Sequence, residues 1–151
     1  MTLNTRKPAV AGRFYPEDPQ ELRQMVQSYL PNVTAEKSLA VIVPHAGYIY
    51  SGKVAGATLA QCEIPPTSLI LCPKHTQFGQ DTALMEEGFW TIPTADIPID
   101  EELALHLLRE IPEIENDAEA HAHEHSLEVI LPFIHEIRKD SRFVPLALGY
   151  R

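Results

Sequence analysis

Leu39-Ala-Val-Ile-Val43, running into Pro44-His45-Ala46-Gly47-Tyr48, and Ser68-Leu-Ile-Leu-Cys72, running into Pro73-Lys74-His75, are the stretches on which the fold turns. Each is a short continuous apolar run stopped by a proline, the pattern of a strand buried on both faces. Between them, residues from about Ser51 to Cys62 read as a helix. Its Ala55, Gly56, Ala57 and Ala60 are small enough to let it lie close on a sheet. Strand, helix and strand of these lengths predict a βαβ unit with parallel pairing and a right-handed crossover.

Working outward, Asp18 is placed to cap a helix that starts at Pro19, with Glu21 completing a capping-box-like pattern. Leu22, Met25, Val26, Tyr29 and Leu30 repeat at helical spacing before Pro31 stops them. Ala83–Glu86 and Phe89–Ile92 read as short strands around Glu87-Gly88. Asp100 caps a helix to about Ile111, buried along Leu103, Leu107, Leu108 and Ile111. A further helix is predicted from about Ser126 to Lys139, bent near Pro132, and Phe143–Leu148 forms a last strand. The fold class is α/β, a mixed and largely parallel sheet flanked by helices, in a single domain over 1–151.

The chain has 151 residues, 44% of them hydrophobic, which suffices for one core. Its 12 basic and 21 acidic residues give a net charge of −9, which excludes phosphate-backbone binding and so nucleic acid as a partner. Apolar runs of about five residues fall far short of the ~20 that span a bilayer, so no membrane partner is expected. The segment from Met1 to Pro8 has no apolar core of a secretory leader, and two cysteines make no disulfide framework. Both features predict a cytoplasmic protein.

Chemistry is expected where the two predicted strands end. Ligands of open α/β sheets bind outside the carboxyl ends of the strands. On neighbouring strands about 4.8 Å apart, His45 and His75 would converge on one metal ion. A second group of histidines lies in Ala120-His121-Ala122-His123-Glu124-His125. A helix would put His121 and His125 on one face, whereas extended chain would align His121, His123 and His125. Glu124 and Glu128 add carboxylates, or serve only a helix dipole. Tyr48, Tyr50 and Ser51 follow His45 and could hydrogen-bond a substrate, although Ser51 could equally cap the helix. Cys72 is read as a small core residue before a thiolate ligand. His106 and His135 read as ordinary helix residues. No Gly-rich phosphate loop, nucleophile elbow or Cys-x-x-Cys pair is present.

Arg6-Lys-Pro-Ala-Val-Ala-Gly-Arg-Phe-Tyr-Pro16, Pro44-His-Ala-Gly-Tyr-Ile-Tyr-Ser-Gly52, Leu71-Cys-Pro-Lys-His75, Trp90-Thr-Ile-Pro93 and Glu124-His-Ser-Leu-Glu-Val-Ile-Leu-Pro-Phe133 follow one another along the chain. In these stretches it resembles the Memo family, whose prokaryotic members are called AmmeMemoRadiSam system protein B. The resemblance implies a fold related to the class III extradiol dioxygenases (LigB-like), with a cleft that binds iron or copper. His45 and His75 match two of the family's cleft histidines, and His125 a position beside them, where it would act as acid/base. Tyr48, His121 and Glu124 are candidates for the cleft wall. The family name also implies radical SAM and AMMECR1-like proteins as partners.

Family members are nearly twice as long, and their C-terminal half carries a further cleft histidine and a later cysteine. The chain thus resembles only the N-terminal half, incomplete at the C-terminus. A missing half or a homo-oligomer is the expected way to cover its open sheet edge. Two functions follow from the resemblance. One is metal-dependent, dioxygenase-like redox chemistry. The alternative is a non-catalytic binding or scaffold protein that uses the same cleft for a peptide or partner.

Overall fold

The computed structural model describes residues 4–149; Met1 to Leu3, on which part of the no-leader expectation rests, and Tyr150 and Arg151 lie outside them. Helix α1 (Pro19–Tyr29) begins as its sequence dictates. The Asp18 carboxylate accepts the N–H groups of Gln20 and Glu21 at 2.9 Å each, and Pro19 fills the first turn, where its missing N–H is not needed. Its Leu22 and Val26 are buried. Helix α2 (Tyr48–Leu59) starts earlier than its composition suggests, with Gly47 as a cap that offers no side-chain hydrogen bond. Ser51 is therefore inside the helix, and its hydroxyl donates back to the Ala46 carbonyl at 3.2 Å. The small residues of α2 serve helix–helix contact: a Cβ on Gly56 would stand 2.5 Å from the Tyr29 carbonyl oxygen.

Two mixed sheets follow. In the larger, β2 (Thr67–Pro73) pairs in parallel with β7 (Arg142–Leu148), which lies antiparallel to β3 (Thr82–Leu84), and β3 runs parallel to β6 (Glu115–Asn116). In the smaller, β1 (Thr5–Arg6) runs parallel to β4 (Phe89–Ile92), and β4 pairs antiparallel with β5 (Ala95–Pro98). A bridge from Ile99 to Phe143 ties the sheets together. Helix α3 (Glu101–Glu110) is capped by Asp100, as expected, and buries Ala104 fully; Leu103, Leu107 and Leu108 pack more loosely on the core. A short helix α4 (Glu119–Ala122), a 3₁₀ turn (Glu128–Ile130) and α5 (Leu131–Ile137) complete the chain's path.

Two expectations fail. The run from Leu39 to Val43 is not a strand; Leu39 and Ile42 are almost wholly exposed, at 106% and 95%. The parallel neighbour of β2 is β7 instead, so the predicted βαβ unit does not form. An apolar run becomes a strand only where an edge accepts its backbone hydrogen bonds, and no described strand pairs with it. The helix expected over 126–139 is also shorter. It begins at Leu131, which puts Pro132 in a first turn where it needs no bend.

The core has two parts. Trp90, Phe143, Leu84, Ile97, Leu127 and Leu131 fill the space between the sheets, beneath α3. Leu22, Val26, Tyr48, Leu59, Phe133 and Ile134 join α1, α2 and α5. Ile70 of β2 packs against both. Among the described residues no helix is long and apolar enough to cross a membrane.

Candidate functional site

Ring nitrogens of His45, His75 and His125 all lie within 4.8 Å of one another. The ring centroids are 5.3 Å apart for His45 and His75, 4.5 Å for His75 and His125, and 5.9 Å for His45 and His125. Three separate segments deliver them. His75 follows the end of β2, where the Lys74 N–H donates to the Leu148 carbonyl and carries the β2–β7 ladder one residue further. Lys74 itself turns inward; its ammonium donates to the carbonyls of Gly79 and Gln80, 2.9 Å each, and so shapes the loop behind His75. His45 precedes α2 in a segment fixed by the bond from Tyr48 N–H to the Phe14 carbonyl at 2.8 Å. His125 lies on the loop before the 3₁₀ turn, its ring 4.8 Å from that of Phe14.

Glu124 is the fully buried support of this cluster. Oε1 is 2.9 Å from His75 Nδ1 and accepts the backbone N–H groups of His125 and Ser126 at 2.9 and 3.0 Å. Oε2 accepts the His75 N–H, and His125 Nδ1 is 3.4 Å from Oε1. Burial alone would raise the Glu124 pKa, but these donors, His75 first, hold it down to about 2. A Nδ1–H on His75 donated to this carboxylate would leave the Nε2 lone pair free for an ion. Burial lowers the pKa of His45, helped by repulsion from His75, and burial likewise lowers that of His125 against the pull of Glu124.

The donor set suits a transition metal. Imidazole nitrogens bind iron, copper and zinc alike. Nitrogens bound tetrahedrally at about 2.0–2.1 Å to one ion stand about 3.4 Å apart, so rings spread over as much as 4.8 Å must close by up to roughly 1.4 Å to hold it.

Other sequence candidates go elsewhere. His121 is fully buried in the core, not in the cleft. Its Nε2 lies 3.1 Å from the Ala83 carbonyl and its ring packs edge-on to Trp90. Because α4 stops at Ala122, His121 and His125 share no helix face, and exposed His123 stacks on Phe78. Tyr48 is buried, and its hydroxyl donates to the Val129 carbonyl at 2.8 Å, away from any substrate role. Cys72 lies in the core, its thiol pushed up to about 11 by burial.

The sequence reading missed what fixes the loop carrying Glu124 and His125. Buried Arg6 donates to the carbonyls of His121 at 3.1 Å and Glu124 at 2.6 Å, and its guanidinium lies 4.4 Å above the Trp90 ring. It also pairs with buried Glu128. That carboxylate accepts the N–H groups of Ala9 and Val10 at 2.9 and 3.1 Å and the Tyr15 hydroxyl at 2.6 Å. The available signal lay at Glu128 alone, a carboxylate set inside the apolar run from Leu127 to Phe133.

A family model described as Memo-like protein matches residues 6–151. A MEMO1 family protein of Methanopyrus kandleri is 41% identical over 95% of this chain and 56% of its own length. One from Methanothermobacter thermautotrophicus gives the same three figures. One from Aquifex aeolicus is 38% identical over 98% of this chain and 56% of its own. The chain thus spans little more than half the length of these relatives.

Proposed function

The chain belongs to the Memo family, and from that premise we propose that it is a metal-binding protein whose His45, His75 and His125 hold one iron or copper ion for redox chemistry. The observation that carries this reading is the mutual reach of three imidazole nitrogens. His45 and His75 are the pair expected from the sequence, and His125 joins them as a third donor instead of standing beside them as acid/base. When bound, such an ion supplies one-electron exchange with dioxygen or with a substrate at its open positions.

The chain's own residues do the rest. Glu124 fixes the ring and tautomer of His75, which leaves one nitrogen free for the ion. The Phe14 ring packs against one side of His125, with centroids 4.8 Å apart. His75 is the exposed member of the three, so a substrate reaches the cluster from its side.

Anaerobic titration with Fe(II) and with Cu(I) tests the proposal. One equivalent should bind, and His45→Ala, His75→Ala and His125→Ala should each weaken it by at least tenfold. Binding unchanged in all three variants would overturn the site. Oxygen uptake by the loaded protein with catechols then separates redox chemistry from a purely binding role.

A further inference from the structure

Strand β2 is outermost in its sheet, paired with β7 on one side and with no described strand on the other. Its Ile70 and Cys72 face the core, while Leu69 and Leu71, on the opposite face, are 42% and 57% exposed. Residues 38–43 and β2 line one groove of about 650 Å³, with Leu59, Ile130 and Ile134 also in its wall. Two stretches of strand-forming sequence thus border one apolar groove, each lacking a ladder partner on that side. An edge of this kind is a template for another strand, which would bury both sets of side chains and satisfy both backbones.

The length of the relatives points to the occupant. They share this sequence at 36–41% identity over 95–97% of it, a match that accounts for 56–57% of their own length. The remaining 43–44% of each relative is polypeptide that this chain does not match, long enough to supply a strand. We infer that the groove between residues 39–43 and β2 receives an extended apolar strand from a polypeptide equivalent to that unmatched part of the Memo relatives. The strand pairs with the free edge of β2, and residues 39–43 become a strand on its far side. This accounts for a stretch with a strand's sequence and no strand's hydrogen bonds. A second copy fits less well, because pairing two β2 edges about a two-fold axis leaves both arms uncovered. The inference does not depend on the metal, although His45 lines the same groove and the inserted strand would pass beside it.

The test is to co-express the chain with a separate polypeptide spanning the unmatched part of the Methanopyrus kandleri relative. Light scattering reads the stoichiometry and hydrogen exchange reads the backbone, both without metal. A one-to-one complex in which the amides of residues 39–43 and of β2 lose their fast exchange is expected. Val41→Pro removes an amide from an exposed arm and should abolish the complex. Leu71→Arg places a charge on the other wall, at a side chain already in water, and should also abolish it. A homodimer protected at these amides would overturn the occupant. A monomer, a complex protected elsewhere, or a complex indifferent to both variants would overturn the groove as its site.

Discussion

Oε1 of Glu124 stands 2.9 Å from Nδ1 of His75, and Oε2 of the same carboxylate accepts the His75 backbone N–H. One side chain thus fixes both the ring and the main chain of a candidate ligand, from a position with no exposure of its own. A carboxylate behind a ligand histidine raises its basicity and sets its tautomer.

Glu124→Gln keeps the shape and removes the charge. The amide oxygen can still accept one N–H, but not the full set. Affinity for the ion should fall by about 10–100-fold, read by competition against a chelator, while far-ultraviolet circular dichroism stays unchanged. Equal affinity in the two proteins would show that Glu124 serves the fold alone.

Arg6→Ala should be far more damaging. It leaves Glu128 charged and buried, and it frees the carbonyls of His121 and Glu124. Breaking such a pair costs about 3–5 kcal/mol, a large share of the ~5–15 kcal/mol that holds a domain together. Urea unfolding measures it. Arg6→Lys should recover only part, because an ammonium cannot reach both carbonyls and the carboxylate in one plane.

Acid should weaken the fold through His121. Burial drives its pKa down to about 4; the Ala83 carbonyl, Asp117 and Glu124 favour the proton, while Arg6 opposes it. The unfolded chain takes up this proton near 6.5 and the folded chain does not. Stability from this group is therefore complete above about pH 6.5 and is lost as pH falls toward 4, a decrease on the order of 3 kcal/mol. Urea midpoints at pH 7, 5.5 and 4 should show the slope, and His121→Gln should flatten it.

Gly56→Ala tests the contact between α1 and α2. Helix propensity alone favours alanine by about 1 kcal/mol. The added Cβ would meet the Tyr29 carbonyl oxygen at 2.5 Å and its carbon at 2.9 Å, both backbone atoms that cannot swing aside. Overpacking of this kind costs about 1–3 kcal/mol, so the variant should lower the urea midpoint.

What the sequence made legible was local. Asp18 and Pro19, or Asp100 with its following acids, announce helices because a cap acts within one turn. The apolar runs of β2 and β7 become strands because each finds the other. Leu39 to Val43 reads the same and fails, since pairing is a property of two segments and the sequence displays only one at a time. His45 and His75 do meet, but not as the ends of neighbouring strands, since residues 39–43 form none; His45 reaches the cluster from the loop before α2. The burial of His121 was not legible, because it depends on Arg6 and Trp90, which arrive from distant parts of the chain. Glu128 was read as a surface or cleft carboxylate for the same reason.

The last described strand, β7, is also the one between β2 and β3, and it is buried along nearly its whole length. During synthesis, then, the larger sheet has no middle until residue 148 has left the ribosome. Up to that moment β2 has neither of its edges covered, and apolar side chains on both of its faces are open to other nascent chains. Pairing between Thr67 and Arg142 closes a long loop late, which makes folding slow and the waiting chain prone to association. Protection of the early chain, by a chaperone or by rapid translation through this region, matters more for this topology than for one whose central strand comes first.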